Sequence, residues 1–410
     1  MKFLFYTVPS GATESICLKL TNDNDNCFKF STILKISGKD WDQEMQRPGN
    51  IYLKRYKKIN NILDRIKIEV NEYICVRQNK NKGITHRGIA KEIRKICTQG
   101  QPVHPENSLL YFMQKYIDTK RQMIDITTYK RYNVFYNLIR RFEGYHMKHL
   151  MIEDVNSVFL QEFLSFGQHE EYSESTIYRT INFVKTILHY VEEKGIRTPV
   201  MELKIRKIKN KKKIISLTEP EILAIKKTPL PKELQIARDW LIISCYTGQR
   251  FSDFMCFSSN KLLNIEGKTC IEFTQKKTQK DIILPLHPVV LDILKNYNYK
   301  FPQPISMKNY NEQIKLIARH AGLNFPLMAG KRIGHRIKRL FIEKWKVITS
   351  HIGRRSFATN FYGKIPTPLL MEATGHSTEQ MFLKYINPVH NERIIALSNH
   401  FDNIYYKKVY

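Results

Sequence analysis

Acidic side chains are the scarce charged group in this chain: 38 Asp and Glu stand against 67 Lys and Arg, a formal net charge of +29 over 410 residues. The excess runs along the whole chain rather than sitting in a tail. Such a field attracts a polyanion and speeds its capture. Long apolar runs are also missing. None approaches the roughly 18 residues of a membrane-spanning helix. Nucleic acid is therefore the expected polyanion, and no membrane partner is expected. The N-terminal "MKFLFYTVPSG" has an apolar run shorter than the roughly 7–15 residues of a secretion-signal core. Cysteine is sparse: the residues at 17, 27, 75, 97, 245, 256 and 270 form no CxxC pair and no Cys/His zinc spacing. Scattered reduced thiols suit the cytoplasm. No P-loop, HExxH or catalytic carboxylate pair is found, which argues against the chemistries they serve. What remains is an ordinary globular composition, 42% hydrophobic and 26% charged, long enough for two to four domains.

Along the chain, "NCFKFSTILKISGKDWDQEMQ" alternates apolar and polar residues, as strands do, and reaches a lone Trp41 followed by Asp42. After Pro48-Gly49, residues 51–96 read as helical and basic, with Ile59, Leu63, Ile66 and Val70 on one face. The polar, proline-containing "CTQGQPVHPEN" (97–107) reads as a linker. Residues 108–198 read as all-helical, with Ser173 and Ser175 at a helix start and Gly195 at a helix end. Basic and aromatic residues alternate there on polar faces (Tyr129, Lys130, Arg131, Tyr132), which suits phosphate contact as well as solvation. "KIRKIKNKKKI" (204–214) has no acid. Its Lys204, Arg206, Lys207, Lys211, Lys212 and Lys213 make it a basic linker suited to lie along a phosphate backbone. From Ser216 a larger helical domain begins, interrupted by one β segment. The chain is thus expected to be mainly α with small β elements, an α+β protein.

The chemistry gathers in four stretches of that last domain. In "LIISCYTGQRFSDFMCF" an apolar helix runs into Thr247-Gly248 and then Arg250. "TCIEFTQKKTQKDIILPLHP" reads as a hairpin with Lys276 and Lys277 near its tip. In "TSHIGRRSFATNFY", Thr349 or Ser350 can cap a helix whose face carries His351 and Arg354. Arg355, about 100° round, is expected to face elsewhere, and Phe357 and Phe361 to pack. In "MEATGHSTEQMFLKYINP", Gly375 can stop one helix, and Ser377 with Gln380 can cap the next. His376 then sits in a turn and Tyr385 on the last turn of a short helix. Alone, this stretch could equally be a helix cap and a half-buried packing tyrosine. Together, Arg250, Lys277, His351, Arg354, His376 and Tyr385 are what an in-line displacement at a phosphodiester needs. Arginines clamp the non-bridging oxygens. A tyrosine hydroxyl, with a pKa near 10, needs a base or a cationic field to react at neutral pH.

The ordered set "TGQRFSD", "KKT", "HIGR" and "TGHS", with a tyrosine nine residues after the last histidine, resembles the tyrosine recombinase (integrase) family. "FKFSTILKISGKDWD" is similar to the arm-type DNA-binding domain of phage and conjugative-transposon integrases, and the 108–198 helices to their SAM-like domain. The resemblance implies a three-domain protein: an arm-type domain and basic helix (1–96), a linker (97–107), a SAM-like core-binding domain (108–200), a basic linker (201–215), a mixed catalytic domain (216–397) and a tail (398–410) that docks on a neighbouring subunit. It implies site-specific integration or excision of a mobile element through a 3′-phosphotyrosyl intermediate and a Holliday junction. Tyr385 would be the nucleophile. Arg250 and Arg354 would hold the phosphate, His351 would act as acid/base, Lys277 would protonate the leaving 5′ oxygen, and His376 would hydrogen-bond the phosphate. It implies no metal or other cofactor, double-stranded DNA at core and arm sites, a homotetramer, accessory DNA-bending or excision factors, and a cytoplasmic, nucleoid-associated location. This chain departs in having Gly353 where many relatives have Leu, in lacking glycine at the hairpin turn, and in the basic "GKRIGHRIKRLFIEKWK" (330–346). Lys276 and Lys280 leave the lysine assignment open. Other readings are a DNA invertase, a type IB topoisomerase, an inactive DNA-binding regulator and an RNA-binding protein, which would prefer single strands.

Overall fold

A computed structural model of the chain describes residues 1–21, 27–50, 53–98, 100, 104–205, 214–333, 336–386, 395, 398 and 399, the side chains of 332–337 excepted. The chain divides into two compact units, Met1–Lys209 with Arg332–Lys338, and Asn210–Lys331 with Arg339–Tyr410.

The first unit opens with strands β1 (Lys2–Ser10), β2 (Thr13–Thr21) and β3 (Cys27–Ile36), antiparallel in the order β1-β2-β3. Strict alternation in β3 turns Phe30, Leu34 and Ile36 inward. A short pair, β4 (Trp41–Asp42) and β5 (Arg47–Pro48), leads into helices α1 (Lys54–Asn79) and α2 (His86–Thr98), so the expected basic helical stretch is split in two. Ile59, Leu63, Ile66 and Val70 are all buried, as the helical period requires, in one core with Phe5, Leu18 and Phe30.

Helices α3 (Leu109–Lys120), α4 (Ile126–His146), α5 (Ser157–His169) and α6 (Glu174–Glu192) follow. Ser108, Asp125, Asn156 and Ser173 cap them by accepting backbone N–H bonds. Tyr129 and Tyr132 do not stand on a polar face as expected. Both pack against the helical core, Tyr132 stacking on Phe183 at 4.4 Å. An aromatic ring that can reach a core gains more by burial than by solvation.

Helix α1 is buried on a second face because it also packs on α4. Polar groups fill that seam. Arg47 pairs with Asp64 at 2.8 Å, and Arg141 bridges Asp64 at 3.2 Å and Glu170 at 2.6 Å. Arg47, Asp64 and Glu170 are buried, and the Arg141 side chain is 12% exposed.

In the second unit, α7 (Glu219–Lys227) precedes α8 (Lys232–Thr247), the central helix, whose residues from Trp240 to Thr247 are all buried. The four-residue α9 (Phe251–Phe254) leads to an antiparallel sheet of β6 (Leu262–Ile265), β7 (Lys268–Thr274) and β8 (Asp281–Pro285), one strand more than the expected hairpin. Helices α10 (Pro288–Asn296) and α11 (Met307–His320) pack on α8. The basic 330–346 stretch runs through a second hairpin, β9 (Pro326–Ile333) and β10 (Arg336–Glu343), of which Arg332–Lys338 is counted with the first unit, and α12 (Lys344–Val347). The last helices are α13 (Ile352–Phe361), α14 (Thr367–Thr374) and α15 (Glu379–Leu383). Gly353 explains the departure from leucine there: a Cβ at 353 would lie 2.0 Å from Ser244 Oγ and 2.8 Å from the Ser244 carbonyl carbon. Glycine lets α13 press directly onto α8.

Removing Asp64 leaves Arg47 and Arg141 buried without their shared carboxylate. Asp64→Ala is expected to cost about 3–5 kcal/mol, the usual penalty for an uncompensated buried charge. Urea unfolding of the full chain measures it; a loss under about 1 kcal/mol, the range of a surface pair, would contradict the reading.

Candidate active site

The six residues singled out as chemical in the sequence come from four separate stretches, and the second unit brings them together. Helix α8 ends at Gly248, which takes the left-handed conformation (φ 68°), and the chain turns so that Arg250 becomes the N-cap of α9. Helix α13 begins at His351. The expected Thr349 or Ser350 side-chain cap is not used: His351 occupies the cap position, and Ile352 N–H donates to the Thr349 carbonyl. Arg354 follows on the first turn. Gly375 (φ 71°) ends α14, and His376 stands in the turn beyond. The next helix is capped by Thr378 rather than Ser377, its hydroxyl accepting from Met381 N–H at 3.3 Å. Helix α15 is therefore shorter than read, and Tyr385 lies in the turn just past it.

Arg354 has no exposed surface. Its Nη1 donates to the Gly248 carbonyl at 2.9 Å, and its Nη2 to the Thr374 carbonyl at 2.7 Å and toward His376 Nε2 at 3.0 Å. Its guanidinium carbon sits 5.3 Å over the Tyr385 ring, with the Tyr385 hydroxyl in hydrogen-bonding reach. Burial, then repulsion from Arg250, lowers its pKa to about 10, while Tyr385 favours the charged form. It remains a full cation at neutral pH.

The tautomer of His376 follows from its partners. Thr374 Oγ1 spends its one proton on the Leu370 carbonyl at 2.6 Å, so toward His376 Nδ1, 2.8 Å away, it can only accept. Nδ1 therefore carries the proton, and Nε2 offers its lone pair to Arg354. Burial, then Arg354, Arg250 and Lys280, push the His376 pKa down to about 3. The imidazole is neutral across the physiological range. Its ring lies 5.0 Å from that of Tyr385. His351 is exposed at the edge of the site. Its pKa is also lowered, first by desolvation and then by Arg355, Arg354, Arg250 and Lys277.

Residues not singled out in the sequence hold this arrangement. Gln275, fully buried in the β7–β8 turn, accepts from Arg250 Nη1 at 2.9 Å and donates to Gln249 Oε1 and to the Thr374 carbonyl, both at 3.0 Å. One amide thus ties the hairpin to the Arg250 turn and the His376 turn. A Cβ on Gly375 would come within 2.5 Å of Gln275 Oε1, so that position needs glycine for space as well as for its φ. Asp253, buried, stands 3.8 Å from Arg250 and accepts from Lys276 N–H at 3.1 Å. Arg355 does not face away as expected; it is half-buried and electrostatically coupled to Tyr385. Gln249 and Asp253 sit inside the quoted "TGQRFSD", but nothing in their own chemistry marks them.

The three hairpin lysines part company. Lys276 is engaged with Cys256, which raises its pKa. Lys277 is exposed, and its charge acts on His351. Lys280 Nζ donates to Ser377 Oγ at 3.0 Å, beside His376. Gln279 (φ 53°) takes the left-handed turn position at which glycine was expected. Of the residues read as DNA contacts, Lys130 and Arg131 on α4 and Lys204 are exposed; Arg206, Lys207, Lys211, Lys212 and Lys213 lie outside the described residues, as does nearly all of the tail.

The result is a cationic, partly desolvated cleft with a tyrosine hydroxyl at its edge, suited to a phosphate-type anion. The phage integrase family model matches residues 216–392, and the phage integrase SAM-like domain model matches residues 108–202. No curated protein matches. Among solved structures, the chain is similar to a lambda integrase dimer bound to a COC′ core site, at 18% identity and TM-score 0.52 over 68% of this chain and 95% of that one. It is similar to the Tn1549 transposon integrase in complex with a circular intermediate DNA, at 15% identity and TM-score 0.53 over 72% of this chain and all of that one. A further lambda integrase core-site structure aligns over 93% of each chain, at 16% identity and TM-score 0.50. At these identities the likeness speaks to the fold.

Unfolded, His376 takes up a proton near pH 6.5; folded, not until about pH 3. The unfolded chain therefore binds more protons between those values, and this residue's share of stability is lost as pH falls from 6.5 toward 3. The His376 imidazole NMR signals are expected to stay constant from pH 8 to 5 with Nδ1 protonated. Titration near pH 6.5 would contradict the assigned network.

Proposed function

Because the chain belongs to the phage integrase family and is a tyrosine site-specific recombinase, an enzyme that cleaves and rejoins DNA strands, we propose that Tyr385 is its nucleophile and that Arg250, Lys277, His351, Arg354 and His376 complete its active site. The observation that carries this is the packing of Arg354 against both His376 and the Tyr385 ring within a cluster that also holds Arg250. A scissile phosphate entering there would meet the two guanidiniums. It would displace His376 Nε2 from Arg354; with its proton moved from Nδ1 to Nε2 in that complex, His376 would donate to a non-bridging oxygen beside the two guanidiniums.

In the first step the Tyr385 oxygen bonds to phosphorus in line with the departing 5′ oxygen, and that P–O bond breaks. His351, its pKa lowered by desolvation and then by its cationic neighbours, takes the tyrosine proton. Lys277 delivers a proton to the leaving 5′ oxygen. A 3′-phosphotyrosyl link results. A 5′ hydroxyl from a partner strand then attacks it, reversing each proton transfer. Cleavage and rejoining conserve the number of phosphodiester bonds, so no external energy source is required.

The substrate of this reading is double-stranded DNA, which the lambda and Tn1549 relatives hold in their structures. Residues 216–397 would grip the core site with residues 108–200, Lys130 and Arg131 included, and the basic linker 201–215 would follow the backbone. Residues 1–96 would bind arm sites, and 398–410 would dock on a neighbouring subunit of a tetramer. Integration or excision of a mobile element, aided by accessory DNA-bending factors on the nucleoid, is the biological role this architecture serves.

Trapping on nicked duplexes from the DNA flanking the gene tests the nucleophile. Wild type is expected to form a protease-sensitive covalent adduct in EDTA, and Tyr385→Phe to bind DNA normally yet form none. Persistent adduct in Tyr385→Phe would transfer the role to another tyrosine, such as Tyr362. The lysine is tested separately. Lys277→Ala is expected to slow cleavage by about 10²–10⁴-fold, the usual worth of a general acid. A substrate with sulfur at the 5′ bridging position, which needs no acid to leave, is expected to restore the rate. If Lys280→Ala rather than Lys277→Ala shows that rescue, the acid is Lys280.

A further inference from the structure

The first unit holds a second chemical cluster. His104 lies in the connection ahead of α3, Glu143 near the end of α4, and His149 just beyond that helix. Their ligating atoms all fall within 4.8 Å of one another. They line a cavity of about 170 Å³. Glu143 is buried, with its Oε1 accepting Leu150 N–H at 3.0 Å and its Oε2 3.3 Å from His149 Nδ1. His149 Nε2 faces Glu72 Oε1 of α1 at 3.8 Å. His104 Nε2 meets the Tyr136 hydroxyl at 2.6 Å, while its Nδ1 is buried without a partner.

That orphan nitrogen requires an explanation, because a buried polar atom without a partner is costly. We propose that His104 Nδ1, His149 Nδ1 and Glu143 Oε2 form a site for a divalent transition-metal ion of the zinc class. Two imidazoles and a carboxylate are a donor set such ions accept, with a fourth position left for water. The outer contacts are those that metal-binding histidines make. The other nitrogen of His104 has the Tyr136 hydroxyl as partner, that of His149 faces the Glu72 carboxylate at ion-pair rather than hydrogen-bond distance, and the remaining Glu143 oxygen is satisfied by backbone. The two arginines in the wall are already engaged: Arg65 with Glu69 at 2.8 Å, Arg140 with Asn61 at 2.5 Å. The 3.3 Å separation between Glu143 Oε2 and His149 Nδ1 already suits two ligands of one tetrahedral ion, and His104 needs only to close in. Such an ion would join the connection before α3 to the end of α4 and, through Glu72, to α1. Its role would be structural, and the proposal does not rest on the recombinase assignment of the second unit.

The test uses the full, tag-free chain stripped with EDTA and then titrated with Zn²⁺ by calorimetry and with Co²⁺ by visible absorption. One equivalent is expected to bind. The Co²⁺ complex should show the intense ligand-field bands of a low-coordinate site, and Zn²⁺ should raise the melting temperature. His104→Ala is expected to abolish binding. Tyr136→Phe, which keeps the ring in its packing, should weaken it by about 10–100-fold, as loss of an outer partner does. Circular dichroism checks that both variants fold. Absence of saturable binding in wild type, or binding unchanged in folded His104→Ala, would overturn the proposal.

Discussion

A guanidinium with no exposed surface is the fixed point of the second unit. Arg354 is too costly to bury unpaired, and α8, α14 and the His376 turn each supply an oxygen or nitrogen to it. Those contacts place the ends of two helices within a few ångströms of each other, and Tyr385 comes to rest against the same cation. Much of the local structure follows from this demand. Gly248 must turn left-handed so that its carbonyl points inward. Gly353 must lack a side chain so that α13 can lower Arg354 onto α8. Gly375 must end α14 so that the Thr374 carbonyl and the His376 ring both face the guanidinium.

The same cation sets the chemistry of its neighbours. Burial first, and then the surrounding Arg354, Arg250, Arg355, Lys277 and Lys280, raise the cost of any further positive charge, so the pKa of both histidines is lowered. The cluster is thus charged by residues that do not titrate near neutrality, and its two imidazoles are kept in the basic form. Asp253 and the Gln275 amide are the counterweight, holding Arg250 without quenching the whole field. In the first unit charge is handled differently. There Asp64 and Glu170 sit between Arg47 and Arg141, and the pairs are closed to solvent. Lys130 and Arg131, by contrast, stand exposed on α4.

Most of this was legible where one residue type carries one meaning. The helical period put Ile59, Leu63, Ile66 and Val70 in a core. Alternation exposed β3, and Gly375 announced a helix end. The Arg, His and Tyr positions were legible because no other common role unites them in that order. What escaped is relational. Gln275 and Thr374 matter through hydrogen bonds to chain segments about 100 and 4 residues away, and an amide or hydroxyl in a sequence looks the same whether it is buried or wet. Arg355 was placed by helical angle alone, but the chain returning at Tyr385 reaches round to it. Strand β6 and the β9–β10 hairpin were missed because short or strongly basic strands carry weak alternation. His104, Glu143 and His149 show no ligand spacing, since a connection and a helix end meet only after folding.

The central claim is that the cleft around Arg354 presents Tyr385, and no other tyrosine, to a DNA phosphate. Mass spectrometry of the covalent protein–DNA adduct tests it most directly. After nuclease and protease digestion, a nucleotide attached through a 3′ phosphate to the peptide containing Tyr385 is expected. Attachment at Tyr362 or at any residue outside this cleft, or through a 5′ phosphate, would contradict it.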